Sequence, residues 1–567
     1  MLVPQPACRT VCLIIHILNT ADMKKIALYI LCGAAALFTS CDPSLLDLQN
    51  ENTLSTGVYW KTESDIEAGV ISVYGMFYRQ GTWTRNIYTQ MIGMADEGVS
   101  YAGWTELNEY TKFIFTDYNF GEANTKIYRE HYTAIFRANQ VLDNIDNVTF
   151  ADETHKNDLI GQTKFLRSFY YFYLTTLWDN IPIVLKTSSA ADKPMQASAD
   201  EMLTQIETDL EDAVTKLPAT RDANNYGRPT KGAAYGLLAK AYAQHHKWED
   251  ARRCLEWLID GEGKRYYDLV PNWADNFSNQ TEDNKESLYE IHFSLTNRVG
   301  FDQTDNYLDP NAQLGTQIEM NQAPTGIGWN NIEARRWLVD YYKREQTTDG
   351  KNDIRLFYTL WYDGAASDFP EYANQLIYGK PWNSDWGNRV FIKKYSTDAS
   401  PLYYWNDNNF RSLRYADMLL LYAEALNELG ATPSAKAIEC LNRVRNRVNL
   451  PDIEDSSFYN GSQITGNKDA FREHLKIERA LELAMECVRW VDLKRWGIND
   501  TNTLNELKAR DSDFNNFIIG KSINSNVLEC QILHYTFKLT PNSRIRIIFT
   551  ESNTPNLIFI HCSEFSV

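Results

Sequence analysis

The sequence has few cysteines, an excess of acidic over basic residues and no long apolar run, and each of these excludes a class of protein. Its 9 cysteines form no CxxC pair and no regular framework, so neither a disulfide scaffold nor a zinc site is indicated. The formal net charge of −18 repels nucleic acid, whose binding begins with phosphate neutralisation. The metalloprotease motif HExxH, the nucleophile elbow GxSxG and the phosphate-binding loop are also absent, so no catalytic signature stands out.

The most apolar stretch near the N-terminus, residues 26–37, is too short for a membrane span, which needs about 20 apolar residues. It follows the basic head MKK at 23–25 and is closed by small residues before Cys41. This is the layout of a secretory signal peptide. A cysteine directly after two small residues resembles a bacterial lipobox. We therefore expect residues 23–40 to be removed and Cys41 to be acylated as the first mature residue.

Three further segments outside the signal peptide and the body of the chain are interpreted separately. Residues 1–22 precede a complete signal peptide with its own methionine, so we expect them to be a mis-assigned extension and Met23 to be the true start. Residues 41–55 are polar and turn-rich, which is typical of a flexible tether. Residues 522–567 contain no clear amphipathic helix. A frameshift is our first interpretation of this tail, and a strand-rich appendage is the alternative.

The remaining body, residues 56–521, is predicted to be mainly α-helical, with an N-terminal half at about 56–260 and a C-terminal half at about 261–521. In RYADMLLLYAEALNELG, Gly430 is expected to end one helix, and Thr432 is expected to cap the next. Such hairpins have the size of tetratricopeptide units and must stack to bury their apolar faces. The expected fold is therefore mainly α, with stacked tetratricopeptide-like helical hairpins and long irregular inserts. The motif EHLKIERALELAMECVRWVDLKRWG is interpreted as one helix closing the series.

Three irregular inserts, residues 81–125, 272–332 and 361–410, hold eight of the 15 tryptophans. Function usually lies on loops that a rigid scaffold supports. A sugar ring offers an apolar CH face that stacks on aromatic rings and a rim of hydroxyls that binds polar groups. We predict a glycan site in the first two inserts, formed by Trp83, Asp96, Tyr101, Trp104, Trp329 and Asn331.

Five helical motifs, taken in order, resemble those of the SusD/RagB family of outer-membrane glycan-binding lipoproteins of Bacteroidetes. They are FLRSFYYFYLTTLWDNIPIV, GRPTKGAAYGLLAKAYAQ, RYADMLLLYAEALNELG, LNRVRNRVNLP and ERALELAMECVRWVDLKRWG. The resemblance covers about residues 41–521. The last motif departs from the family pattern at Ala480, where a second basic residue is usual, and at Cys487, where glycine is usual.

The resemblance implies a lipid-anchored protein on the extracellular face of the outer membrane. Such a protein holds an oligosaccharide or polysaccharide and delivers it to a TonB-dependent porin of the SusC type. The family consists of binding proteins without a cofactor, not enzymes. The residues alone leave two alternatives open. A surface glycoside hydrolase would need paired carboxylates, for which Asp96 and Glu97 are the best candidates. A helical-repeat adaptor would bind only proteins and would have no glycan site.

Two residue patterns were considered as metal sites. His245 and His246 fall at a predicted hairpin turn, where a solvated end is the simpler interpretation. Asp302, Asp305 and Asp309 in FDQTDNYLDPN lack the spacing of a calcium-binding loop. We therefore predict no metal site.

Overall fold

The computed structural model describes residues 59–111, 122–178, 180–189, 191–295, 314–396 and 405–497, with short pieces at 508–509, 549–551 and 558–560. These residues are mainly helical, as predicted. The helices span Glu63–Tyr74 (α1), Asn86–Met94 (α2), Thr105–Tyr110 (α3), Glu122–Asn144 (α4), Glu153–Leu177 (α5), Ala199–Lys216 (α6), Lys231–Gln244 (α7), Trp248–Ile259 (α8), Ile318–Gln322 (α9), Trp337–Tyr342 (α10), Ile354–Thr359 (α11), Ala365–Asp368 (α12), Tyr415–Leu429 (α13), Ala435–Asn446 (α14), Gly461–Gly466 (α15), Lys468–Glu482 (α16) and Arg489–Trp496 (α17).

The strands are short and form antiparallel pairs. They span Gly98–Val99 (β1), Ile181–Pro182 (β2), Gln196–Ala197 (β3), Ser287–Ile291 (β4), Glu333–Ala334 (β5), Leu360–Tyr362 (β6), Val390–Ile392 (β7), Phe410–Arg414 (β8), Phe549–Glu551 (β9) and Ile558–Ile560 (β10). The pairs are β1 with β5, β2 with β3, β4 with β8, β6 with β7, and β9 with β10. The pairing of β1 with β5 places Gly98 opposite Ala334 and so joins the first insert to the chain just after the second.

The long helices pack in sequence order. Helix α4 packs on α5, α5 on α6, α6 on α7 and α7 on α8. Helix α8 then packs on α13 although residues 260–414 separate them, and α13 packs on α14 and α16. The hairpins therefore form a continuous layer from which the irregular inserts emerge. No helix in the described ranges combines the length and apolar character that a bilayer span requires.

The hairpin of α13 and α14 shows how local sequence sets helix ends. Helix α13 ends at Leu429, directly before Gly430, as predicted. Helix α14 begins at Ala435, so the prediction that Thr432 caps it is wrong. The cap is Ser434, whose hydroxyl accepts a hydrogen bond from the Ala437 amide at 3.2 Å and satisfies an N–H that lacks a partner within the helix.

The last helical motif is not one helix, contrary to our interpretation. Helix α16 ends at Glu482 and α17 begins at Arg489. Between them, Met485 and Cys487 have φ angles of 63° and 61°, in the left-handed region that favours glycine. The glycine usual in the family at the position of Cys487 suits this conformation. The turn is held from outside, because the Met485 amide donates to a carboxyl oxygen of Glu97 at 3.0 Å.

Beneath these helices lies a buried cluster of ionised side chains. Arg414 on β8 donates to Glu286 and Glu482, at 2.8 and 2.7 Å, and to Glu486. Arg447, just after α14, also binds Glu286 and Glu482. All five side chains are at most 3% exposed. Because these residues come from segments distant in the chain, the cluster ties the C-terminal half together.

Candidate functional site

Trp104 and Trp329, predicted from two separate inserts, both contact one cation. The guanidinium carbon of Arg85 lies 4.7 Å from the centroid of the Trp104 ring and 4.8 Å from that of Trp329. Both rings are partly exposed. At these distances the cation is attracted to each ring face, which holds the two indoles close together at the surface.

Backbone pairing brings the two inserts together. The Gln317 amide donates to the Thr84 carbonyl at 2.8 Å, directly beside Arg85. The Arg335 amide donates to the Glu97 carbonyl at 2.9 Å next to the β1–β5 pair. Trp104 and Trp329 therefore meet because hydrogen bonds between the inserts align the loops that carry them.

The loop that carries Trp329 is tightly folded. The Trp329 amide donates to the Met320 carbonyl at 2.8 Å. A Cβ at Gly328 would lie 2.6 Å from the same carbonyl oxygen, so only glycine fits there without a shift of the backbone. Asn331, predicted to bind sugar hydroxyls, is 7% exposed, and its side-chain amide donates to the side-chain oxygen of Asn321 at 2.7 Å. The structure thus corrects the role of Asn331, which supports the loop because its amide is buried and already bonded.

Tyr101 is the most exposed of the predicted residues, at 48%. It lies on the loop between β1 and α3, three residues before Trp104. Arg389 lies nearby: its pKa is raised first by its hydrogen bond to Glu333 and, to a smaller extent, by the charge of Tyr101. Arg389 donates to Glu333 on β5 through both Nε, at 3.0 Å, and a terminal nitrogen. We take Tyr101, Trp104 and Trp329 with Arg85 and Arg389 as the candidate face.

Trp83 is not part of this face, which corrects the prediction that it binds glycan. Its side chain has no exposed surface. The ring lies 4.9 Å from Phe169 and 4.8 Å from Tyr173, both on α5, and 5.5 Å from Phe77. A sugar cannot stack on a ring whose faces are already covered by other aromatic side chains.

Asp96 is likewise a buried residue and cannot bind a sugar hydroxyl as predicted. It is 1% exposed, and both of its carboxylate oxygens accept hydrogen bonds from Arg489, at 2.7 and 2.9 Å. The neighbouring Glu97 is also 1% exposed, and burial raises its pKa to about 8. These two carboxyls join the α2–β1 turn to the break between α16 and α17. They have no access to a substrate, which removes the best candidate pair for glycoside hydrolysis.

The raised pKa of Glu97 leads to a testable dependence of stability on pH. The unfolded carboxyl ionises near its ordinary pKa of 4.5, whereas the folded one keeps its proton to about pH 8. The free energy of unfolding should therefore fall as pH rises from 4.5 to 8.

Glu97→Gln keeps an acceptor for the Met485 amide without a titrating proton. We expect the variant to exceed wild type in stability at pH 8 by on the order of a few kcal/mol and to match it near pH 4.5. Chemical denaturation at both pH values is the measurement, and an equal difference at both would contradict this account.

Sequence reasoning missed Arg85 and Arg389. Both are arginines within or beside aromatic inserts, but only the folded chain shows that each contacts an aromatic ring. The guanidinium carbon of Arg389 lies 5.3 Å from the Phe391 ring centroid. The signal available in the sequence was the position of Arg85 two residues after Trp83 in the first insert.

Among the described residues one group, Asp283, Glu290 and His292, has side-chain atoms close enough together to hold a metal ion. Within this group His292 contacts Asp283 at 3.0 Å, and from outside it Arg411 pairs with Glu290 at 3.0 Å. His245 contacts Glu207 at 2.9 Å. The aspartates of FDQTDNYLDPN lie outside the described residues.

Two models of known protein families match this chain. The family model described as "SusD family" matches residues 285–529, and a second, described as "Starch-binding associating with outer membrane", matches residues 45–243. The chain belongs to the SusD/RagB family. The family consists of carbohydrate-binding proteins that associate with the outer membrane, and they are not enzymes.

Individual members of the SusD/RagB family are similar over most of their length. SusD-like protein P25 of Formosa agariphila is 24% identical over 513 residues, which cover 82% of this chain and 88% of that protein. The crystal structure of a SusD superfamily protein from Bacteroides vulgatus has a TM-score of 0.68 at 25% identity, over 84% of this chain and 98% of that one. A laminarin-binding SusD-like protein has a TM-score of 0.63 at 23% identity, over 84% and 98%.

Proposed function

We propose that this protein is a cell-surface lipoprotein that binds an oligosaccharide or polysaccharide through Trp104, Trp329 and Tyr101. It then hands the glycan to a TonB-dependent porin of the SusC type for nutrient uptake. The observation that carries the proposal is the contact of both Trp104 and Trp329 with Arg85. The laminarin-binding relative supports a glycan as ligand.

The face combines the two kinds of group that a sugar requires. Partly exposed indole rings offer flat apolar surfaces for the CH face of a sugar. The guanidinium group of Arg85 beside those rings, and that of Arg389 near Tyr101, carry N–H donors of the kind that bind sugar hydroxyls. Because Arg85 contacts both indole rings, it holds these two side chains in place before ligand arrives.

Titration of the full-length chain with a panel of soluble polysaccharides tests the function directly. We expect saturable binding of at least one polymer and no release of shorter sugars after prolonged incubation. Release of reducing ends by pure protein would instead support the hydrolase alternative. If the protein binds no polymer but does bind the porin, the adaptor alternative replaces the proposal.

The lipid anchor is part of the proposal and rests on the sequence, because Cys41 lies outside the described residues. Cys41→Ala should move the protein from the membrane to the soluble fraction, since stable anchoring of this kind needs more than one acyl chain on the mature cysteine. Ser44→Ala, within the proposed tether, is the matched control and should stay in the outer membrane. Cell fractionation followed by immunoblotting measures this. Retention of the Cys41 variant at the level of the control would disprove acylation at this position.

The partnership with a porin gives a second expected result. Mild detergent extracts of outer membranes should yield a complex of this protein with a larger β-barrel protein, identified by mass spectrometry after affinity purification. Trp329→Ala should co-purify equally well, because its ring is assigned to the glycan and not to the porin. Recovery of the wild-type protein alone under these conditions would contradict the partnership.

A further inference from the structure

A second group of tryptophans lies in the third insert, outside the predicted site. Trp361, Trp382 and Trp386 contact one another edge to face, with ring centroids 5.0 to 5.5 Å apart. Trp361 is buried, whereas Trp382 and Trp386 are partly exposed. The two outer rings therefore rest on the buried one and reach the surface.

The surroundings of these two rings differ from those of a core plug. The residues between and after them are exposed and carry short polar side chains able to bind hydroxyl groups: Asn383, Ser384, Asp385 and Asn388. The segment is also anchored, because Trp382 and Trp386 pack on Phe391 of β7 at 5.9 and 5.3 Å. Partly exposed indoles among short polar side chains are the same combination that a sugar ring requires.

This pair is linked to the Trp104–Trp329 face through shared supports. Ile327, two residues before Trp329, packs against the same buried cluster as Trp382 and Trp386, which includes Trp361 and Phe391. Arg389 contacts the Phe391 ring and binds Glu333 on β5, whose partner strand β1 leads into the Tyr101 loop. The two aromatic groups thus share a buried cluster and the strands β5 and β7 as supports.

We propose that Trp382 and Trp386 form a second stacking subsite for the same glycan chain that binds Trp104 and Trp329. This inference rests on the proposed function and adds that the protein selects long chains over short ones. A chain long enough to reach both tryptophan pairs gains a second stacking contact without a second association step, whereas a short one fills only the first pair.

The experiment uses the full-length chain and named probes. Native gels containing laminarin, starch, xylan or mannan identify the polymer that retards wild type, and calorimetry then compares that polymer with its disaccharide-to-octasaccharide series. We expect affinity to rise with chain length. Trp386→Ala should lower affinity for the polymer roughly tenfold, by analogy with the loss of one stacked base, and leave the shortest bound oligosaccharide unaffected. Trp104→Ala should lower affinity for both.

The outcomes separate this inference from the proposed function. If none of the polymers retards wild type, the proposed function fails and the inference fails with it. If Trp104→Ala weakens binding but Trp386→Ala, with a wild-type thermal melt, leaves the dependence on chain length unchanged, only the second subsite is overturned. If Trp386→Ala has a lower melting temperature than wild type, Asp385→Arg is used to test the subsite instead. This substitution places a long side chain beside the two rings at an exposed position. Unchanged polymer affinity in that variant also overturns the subsite.

Discussion

Trp104→Ala and Trp329→Ala are each expected to weaken binding of the preferred glycan roughly ten- to a hundredfold. The reason is the loss of one stacked ring, worth on the order of 1–3 kcal/mol by analogy with bases stacked on aromatic side chains. Each substitution also releases Arg85 from one of its two aromatic contacts, at 4.7 and 4.8 Å. The effect on affinity should therefore include some loss of order in the remaining ring. Isothermal titration calorimetry measures it.

A tryptophan outside the proposed site serves as a control for the general effect of removing an indole ring. Trp257 on α8 is partly exposed and stacks on Tyr235 at 4.6 Å, in the helical layer. Trp257→Ala should bind glycan as wild type does. If both site variants keep a wild-type melting temperature and full affinity, these rings serve packing and the site lies elsewhere.

Replacing Arg414 by methionine is expected to lower the free energy of unfolding by about 3–5 kcal/mol. The change leaves Glu286, Glu482 and Glu486 buried with fewer counter-ions, all of them at most 2% exposed. Burial alone would raise the pKa of Glu482, but Arg447, Arg414 and Arg355 hold it well below its usual value. Without Arg414, ionised carboxylates remain in a medium that solvates them poorly. Urea denaturation of wild type and variant gives the difference.

The pH dependence of that difference tests its electrostatic origin. A carboxyl with a depressed folded pKa adds stability above its unfolded pKa and loses it as pH falls through the folded value. The difference in the free energy of unfolding between wild type and Arg414→Met should thus be largest at neutral pH and should narrow as pH falls below the unfolded pKa of 4.5 towards the depressed folded value. An equal difference at neutral and at acidic pH would indicate lost packing instead. Arg253→Met, which removes an exposed pair with Asp250, should cost at most about 1 kcal/mol.

Three of the five motifs that carry the family resemblance encode this buried network, and none of these three contains a residue of the proposed glycan site. Arg414 opens RYADMLLLYAEALNELG, Arg447 belongs to LNRVRNRVNLP, and Glu482 and Glu486 belong to the last motif. A buried ion pair requires particular charged residues at particular positions. Motifs that contain such residues can therefore be recognised in the sequence. A stacking site requires only an exposed ring, which many loop sequences can supply. The same motif nevertheless misled us about the helix break, because Met485 and Cys487 adopt left-handed angles that a contact with Glu97 supports.

The sequence by itself determined the helical class, the hairpin of α13 and α14 and the location of candidate aromatic residues in irregular inserts. Helix periodicity depends on neighbours a few residues apart, so it can be predicted locally. The exact cap was not, since Ser434 and not Thr432 caps α14. Only the tertiary structure decided which aromatic residues face solvent. Trp83 is covered by Phe169 and Tyr173 from a distant helix, whereas Trp104 and Trp329 meet at the surface because hydrogen bonds join their inserts. The burial of a side chain depends on contacts with residues from the whole chain. It therefore cannot be predicted from the composition of the sequence near that residue.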